Sequence, residues 1–196
     1  MTDRHQDDNP VAGRQATRQV PPTPDRLRRV LGHFATGVTV VTGLDAEHEP
    51  VGFACQSFSS VSLEPPLVLF CADHRGRSWP RMRDTGTFCV NILRHAQQDI
   101  VDRFGSPTGA RFEGIDWHLS PYGAPALPGV LARVHCAVEA VHASGDHDVV
   151  VGRVQDLELV QAGRPLLFYR GRFAVTERVR SAAQVEVTGG WDDFWG

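Results

Sequence analysis

The chain has 196 residues, a length that suits one domain and lets it bury about 70% of its unfolded surface. Its 41% hydrophobic and 22% charged residues are typical of a soluble globular protein. The formal net charge of −3 gives no electrostatic footprint for nucleic acid or for an anionic membrane, so we expect neither as a partner.

The chain contains no lysine, and all twenty of its basic residues are arginine. This excludes Walker-type phosphate binding and Schiff-base chemistry, which both require a lysine amine. Any anionic ligand must therefore be held by arginine, hydroxyl groups and backbone N–H groups.

The cysteines are far apart and form no CxxC pair, which disfavours a zinc ribbon or a thioredoxin-like motif. They are expected to be free thiols in a reducing compartment, and they are Cys55, Cys71, Cys89 and Cys136. The longest apolar run, residues 67–72, is far shorter than a membrane span. The sequence therefore predicts a cytoplasmic protein.

The first elements follow from local patterns. Residues 1–24 are polar and proline-rich at their end, so a disordered arm is expected there. Asp25 is predicted to cap a helix that runs to Phe34, with its apolar residues on one face. Strands are predicted at residues 37–43 and 51–54 because both are rich in β-branched or small apolar side chains.

The next elements alternate between strand and helix. Strands are expected at residues 67–72 and 87–93, and helices at 76–84 and 97–104. The glycine- and proline-rich residues 105–128 form a connection long enough to be a functional or interface loop.

A long hairpin is predicted near the end of the domain. Residues 130–142 alternate strictly, with Val134 and Cys136 on one face and Arg133 and His135 on the other. A turn at residues 144–146 leads into a second strand at 147–159. Many strands and few helices predict a mainly β protein, an antiparallel barrel with peripheral helices in residues 25–175. Residues 176–196, with an aromatic cluster, form a separate tail.

Residues 51–72, VGFACQSFSSVSLEPPLVLFCA, are the most informative segment. Small polar side chains and free backbone N–H groups in such a bend can follow the edge of a flat heterocycle and end on a phosphate. The alternative is a serine-rich loop that satisfies only its own backbone.

Seven further motifs accompany that segment along the chain. They are LGHFATGVTVVT at 31–42, RSW at 77–79, FCVNIL at 88–93, RFGS at 103–106, FEGIDW at 112–117, GDHDVVVGRV at 145–154 and PLLFYRG at 165–171. Together they resemble the flavin reductase family, which adopts the FMN-binding split barrel and supplies two-component flavin monooxygenases. Within it, four motifs are most similar to reductases that serve an actinobacterial seco-steroid hydroxylase.

This resemblance implies a flavin site, for FMN or FAD. The isoalloxazine edge would lie along Ala54, Cys55, Gln56 and Ser57, and Ser60 and Ser62 would face the ribityl chain and phosphate. The phosphate cradle would be completed at the start of a helix, where free N–H groups favour an anion. The cradle residues would be Gly76, Arg77 and Ser78, and Asn91 of FCVNIL is also assigned to the flavin site.

The resemblance also implies a nicotinamide site, for NADH or NADPH. His147 would lie beside the flavin where the nicotinamide stacks, and Tyr169, Arg170 and Gly171 would help hold the dinucleotide. Hydride transfer requires no general base, so His147 is assigned to positioning and electrostatics. The alternative interpretation of Gly-Asp-His is a tight turn with an exposed histidine.

Three classes of function are expected from these residues. The first is a reductase that releases reduced flavin to a separate monooxygenase, in a chain that forms a homodimer. The second is an electron carrier that retains its flavin. The third, a self-contained monooxygenase, would need a substrate pocket in residues 105–128. Neither a metal site nor a GxSxG or GxGxxG motif is supported.

Overall fold

The computed structural model describes residues 21–106 and 111–176. Residues 1–20 of the arm expected at 1–24, and the tail beyond 176 with its aromatic cluster, lie outside the described residues. The last residue of the expected arm, Pro24, begins the first helix. Within the described residues, the chain is mainly β, and the two long hairpin strands are its largest elements.

One large antiparallel sheet dominates the fold. Its strands follow the order β3-β2-β6-β9-β10-β5-β4. Their bounds are β2 Thr39–Leu44, β3 Pro50–Cys55, β4 Ser59–Leu63, β5 Pro66–Asp73, β6 Thr87–Ile92, β9 Ala132–Ser144 and β10 His147–Leu159. Strand β4, in the serine-rich bend, was not predicted, because its serines lack the usual β-branched signature.

The connection between β3 and β4 shows that this sheet curls into a barrel. These two strands lie at opposite edges of the hydrogen-bonded order, yet only residues 56–58 separate them. Four steps of extended chain span at most about 14 Å. Seven flat strands would place their edges about 29 Å apart. The sheet must therefore curve until its edges meet, although no ladder of hydrogen bonds joins β3 to β4, so the barrel is split.

Two smaller sheets complete the β structure. One has the order β1-β11-β12, with strands at Thr36–Gly37, Leu166–Tyr169 and Arg172–Val175. The other pairs β7, His118–Leu119, with β8, Pro125–Ala126. The strand predicted at 37–43 is thus divided, because Thr36–Gly37 pairs with β11 while β2 joins the barrel.

Two helices are shorter than predicted, and the third has the predicted length but begins one residue later. Helix α1, Pro24–Leu31, is capped by Thr23 rather than Asp25, since Thr23 Oγ1 accepts from Arg26 N at 3.3 Å. Helix α2 covers only Trp79–Met82 and continues as a 3₁₀ turn to Thr85. Helix α3 covers Gln98–Gly105.

The core has two clusters. In the first, Phe70 packs edge-on against Trp79 and Phe88, with ring centroids 5.6 and 5.2 Å apart. The second cluster contains Val38, Val40, Leu93, Phe104, Leu127, Val130 and Leu166, and it seals the junction between the barrel and the small sheet.

The polar face predicted for β9 is buried. His135 is fully enclosed, its Nε2 lies 2.9 Å from Glu158 Oε1, and its ring stacks on Tyr122 at 4.9 Å. Arg133 donates to Glu158 at 2.6 Å and to the Leu127 carbonyl. Strict alternation could not reveal this, because the cover comes from residues 120–127 of the long connection.

Candidate functional site

The bend between β3 and β4 lines the first cavity, about 500 Å³ in volume. Gln56 and Ser57 are exposed on it, opposite residues 34–37. The Ser57 hydroxyl accepts from Cys71 N at 2.8 Å, so it also fixes the bend to β5. Both interpretations of the serine-rich bend thus apply: it satisfies part of its own backbone and it lines an open cavity.

The residues just before the bend point into the protein. Cys55 is buried, burial raises the pKa of its thiol, and its Sγ lies 3.3 Å from Ser57 Oγ. Ala54 packs against the second core cluster. Either residue can therefore reach a ligand through its backbone rather than its side chain. Ser60 and Ser62 lie on the edge strand β4 and do not line this cavity, whereas Ser59 does.

The second cavity, about 440 Å³, is lined by three arginines: Arg77, Arg81 and Arg111. Arg81 forms a salt bridge with the buried Asp45. Burial and the neighbouring positive charges of Arg77 and Arg81 lower the pKa of Arg111. No acidic partner is recorded for Arg77 or Arg111 among the described residues. Glu49 and Glu113 also line the cavity, so the positive charge available to a phosphate group is that of Arg77 and Arg111, which form no salt bridge with them.

Arg111 was missed by the sequence analysis. Its guanidinium donates to the Gly52 and Ser106 carbonyls at 2.7 and 3.0 Å, and its buried Nε has no hydrogen-bond partner in the described chain. The only sequence feature that could have indicated a role for Arg111 is its position next to Phe112. The Phe112 ring packs against Phe104, with ring centroids 5.0 Å apart, and so fixes the segment that carries Arg111.

Ser78 has a different role from the one expected. Its hydroxyl donates to the Gly52 carbonyl at 2.7 Å and accepts from Arg111, and the side chain is buried. Helix α2 is a single turn, so it offers little macrodipole. The cradle residues that remain open are Arg77 and Gly76, which line an adjoining cavity of about 90 Å³.

Asn91 does not reach any cavity. Its Nδ2 donates to Val40 O at 3.1 Å and to Thr42 Oγ1 at 3.0 Å, and its Oδ1 accepts from Leu127 N at 2.9 Å. The side chain is fully buried. The structure thus corrects the assignment of Asn91 to the flavin site: it is a satisfied polar group that joins β2, β6 and the long connection.

His147 lies on the strand next to the small cavity that adjoins the arginine cavity, and its register partner Asp73 lines that small cavity. His147 begins β10 directly opposite Asp73, three residues before Gly76. The two turns are joined by a hydrogen bond from His74 N to Asp146 O, 3.0 Å. Asp148 adds contacts to His74 Nε2 and Trp79 Nε1, both 2.9 Å. The fold therefore brings His147, Gly76 and Arg77 together.

The second part of the predicted nicotinamide site lies elsewhere on the chain. Tyr169, Arg170 and Gly171 form the β11–β12 turn, where Arg170 and Gly171 have φ of 51° and 77°. Tyr169 and Arg170 line a depression of about 510 Å³, and Arg170 N donates to Gly32 O at 2.9 Å. No hydrogen bond or ion pair between described residues joins this turn to His147.

The described residues form neither a metal site nor a membrane-spanning helix. Within 21–106 and 111–176, no three His, Cys, Asp or Glu side chains gather closely enough to hold a metal ion. In that part of the chain, no helix combines the length and hydropathy that crossing a bilayer requires.

Comparison with known proteins decides the family. A model described as the flavin reductase like domain matches residues 31–177. The chain belongs to this family. It is 53% identical over 154 residues to the reductase subunit HsaB of a flavin-dependent monooxygenase from Rhodococcus jostii, covering 79% of this chain and 78% of the relative. A Pseudomonas putida flavin reductase is 41% identical, over 76% of this chain and 88% of its own.

Solved structures show the same barrel. A nitrilotriacetate monooxygenase component B from Mycobacterium thermoresistibile is 51% identical, with a TM-score of 0.75 over 78% of this chain and 86% of its own. The NADH:FAD oxidoreductase SgcE6 of Streptomyces globisporus, in complex with NAD and FAD fragments, is 36% identical, with a TM-score of 0.77 over 84% and 99%. The family resemblance and the mainly β fold are thus confirmed.

Proposed function

We propose that this chain is an NADH:flavin oxidoreductase that reduces FMN or FAD and supplies the reduced flavin to a separate monooxygenase. The observation that carries the proposal is the arginine cavity beside the His147 turn, in a flavin reductase chain whose relatives include monooxygenase reductase subunits. An NADH-dependent flavin reductase from a Rhodococcus species, 38% identical over 89% of this chain, favours NADH as the donor over NADPH.

The residues fit a flavin nucleotide. Arg77 and Arg111 would bind its phosphate, because both line the cavity and neither forms a salt bridge with a described carboxylate. Gln56, Ser57 and the backbone of Ala54 would line its ring system, and His147 would add an electrostatic contact. The flavin itself supplies the acceptor chemistry for a hydride, and the protein supplies placement and tuning.

Release of reduced flavin requires only modest affinity. Micromolar binding corresponds to about 8 kcal/mol, which a few charge-assisted contacts and one stacked ring can provide. The cavity at the bend and the arginine cavity are both partly open to solvent, which favours exchange of flavin over permanent retention. This supports a reductase over the alternative of a carrier that keeps its flavin.

Part of the connection in which a self-contained monooxygenase would need its substrate pocket has another role. Residues 120–127 of the long connection cover β9, where Tyr122 stacks on His135 and Leu127 accepts from Arg133. That half of the connection is therefore a cover for the sheet rather than a substrate pocket.

We further propose a homodimer. Helix α1 has eight residues and buries none of them, although Leu27, Val30, Leu31 and the following Phe34 share an apolar face. Such a short helix is marginal in water without tertiary packing. A second copy of the chain would cover this face.

The monooxygenase that this reductase serves would be a seco-steroid hydroxylase, as the narrower sequence resemblance implies. Its compartment would be a reducing cytoplasm, which suits the free cysteines.

A steady-state assay tests the main proposal. Purified protein with NADH and a hundredfold excess of free FMN or FAD should oxidise NADH for many turnovers, at a rate that saturates with flavin. A single bleaching of flavin bound to the protein would instead establish the carrier, and no NADH oxidation with either flavin would refute both. Product formed without any second protein would establish the self-contained oxygenase.

A further inference from the structure

The turn that carries His147 contains a carboxylate–imidazole pair. Oδ1 of Asp146 lies 2.7 Å from Nδ1 of His147. A carboxylate offers only acceptor oxygens, so Nδ1 must carry the proton and donate it. Nε2 is then the ring nitrogen that remains for another partner, and the imidazole cannot rotate by half a turn without losing this bond.

Asp73, on the neighbouring strand β5, does not compete for the imidazole. It lies opposite His147 in the register, but its Oδ1 accepts from Arg75 N at 2.8 Å and its Oδ2 from the Arg75 guanidinium at 2.7 Å. On β9 the register partner of His147 is the uncharged Ser144. Among the described groups that face His147, Asp73 and Arg75 thus contribute charge, and Asp146 contributes both charge and a hydrogen bond.

The solvent exposure of the Asp146 and His147 side chains determines how strong the contact between them is. The side chain of Asp146 is 80% exposed and that of His147 is 38% exposed, and an exposed ion pair contributes little in water. A flat ligand that covers the turn would exclude water and strengthen the same contact. The pair is therefore weak in the free protein and effective in a complex.

We propose that Asp146 is a positioning residue that orients the imidazole of His147 when flavin and nicotinamide are bound. This inference rests on the proposed function, in which His147 lies beside the flavin. Because Asp146 holds Nδ1, Nε2 is the ring nitrogen that would face the bound nicotinamide, and a ring that is already fixed loses less conformational freedom on binding.

The Michaelis constants for NADH and flavin test this role. Asp146→Ala removes the acceptor for Nδ1, so KM for NADH should rise severalfold while KM for flavin changes little. In a His147→Gln background the same substitution should have almost no further effect, because Asp146 acts only through the imidazole.

Two further variants complete the experiment. Asp146→Asn, which keeps an oxygen that can accept from Nδ1, should restore most of the affinity for NADH. Asp84→Asn, which changes another exposed carboxylate, should leave both Michaelis constants unchanged. An unchanged KM for NADH in Asp146→Ala, or an undiminished effect of that substitution in the His147→Gln background, would overturn the inference. A wild-type protein that reduces no flavin would instead overturn the proposed function.

Discussion

Arg111 shows how a single side chain can change the chemistry of a cavity. It lies in the long connection, far in sequence from Arg77 and Arg81, yet all three arginines line the same cavity. Burial lowers the pKa of Arg111 most, and the positive charges of Arg77 and Arg81 lower it further. Such an arrangement is unfavourable in the free protein, and an anion relieves it.

Removing either open arginine should weaken binding of phosphorylated flavins. In Arg77→Ala or Arg111→Ala the apparent KM for FMN should rise severalfold or more, since a charge-assisted hydrogen bond contributes about 1.5–3 kcal/mol. Riboflavin has no phosphate, so its KM should not change. Steady-state kinetics with both flavins measures this, and Arg28→Ala, an exposed arginine on α1, is the control.

An equal rise in KM for FMN and riboflavin would contradict the phosphate assignment. It would mean that Arg111 acts through its bonds to Gly52 and Ser106, which shape the cavity wall.

At the scale of elements, Asp148 fixes three segments together. Its two oxygens accept from His74, in the turn after β5, and from Trp79, in α2, while its backbone belongs to β10. The His74 and Trp79 hydrogen bonds hold the pKa of Asp148 below its ordinary value. The arginine cavity and the His147 turn therefore keep one relative position.

This contact predicts a dependence of stability on pH. Because the pKa of Asp148 is lower in the folded state, its ionised form stabilises the protein above about pH 4, and that contribution is lost as pH falls. Asp148→Asn should lower Tm at neutral pH, and the difference from the wild type should shrink between about pH 5 and pH 3. Thermal unfolding at each pH measures it, with Asp84→Asn as the control. A difference in Tm that stays constant would contradict this origin.

Gly152 illustrates a packing constraint between elements. It lies at an irregularity in the β9–β10 ladder, and a Cβ added there would be 2.3 Å from Phe88 Cζ and 3.2 Å from Cys136 Cβ. Phe88 is itself held edge-on by Phe70, so it has little room to move. The barrel can therefore close around these rings only because one strand lacks a side chain.

Gly152→Ala should accordingly destabilise the barrel by about 1–3 kcal/mol, the usual cost of overpacking a core. Urea unfolding monitored by circular dichroism measures the change in midpoint. Gly37→Ala is the matched control, because nothing lies within 4 Å of its added Cβ. Equal effects of both substitutions would show that loss of glycine flexibility, rather than the clash, dominates.

At the scale of the whole molecule, the exposed apolar surface predicts association. Val30, Leu31 and Phe34 are 59%, 60% and 77% exposed on one side of α1, which is unusual for large apolar groups next to one another. The proposed homodimer would bury them.

The double variant Val30→Glu/Phe34→Glu should convert the dimer to a monomer, because it places charges in an apolar contact. Size-exclusion chromatography with light scattering measures the mass. Leu159→Glu, at an apolar position that is 96% exposed on β10, is the matched control. Dissociation by the control alone would place the interface on the hairpin instead of on α1.

Several features followed from the sequence by itself. The two hairpin strands, the core strand after Pro65-Pro66 and the barrel class are local patterns, because strand periodicity and turn residues act over a few positions. The motifs identified the family, and the turns that carry Gly76 and His147 are neighbours in the fold although these two residues are 71 positions apart in sequence.

Only the tertiary structure decided which polar side chains are free to act. Asn91, Ser78 and His135 are equally polar in sequence, but the fold satisfies or covers each of them through residues 36, 26 and 23 positions away. Arg111 likewise lines the arginine cavity only because of the path of the long connection, which no local sequence pattern specifies. Hydrogen-bond satisfaction depends on long-range neighbours, so a residue's availability to a ligand is a property of the folded chain.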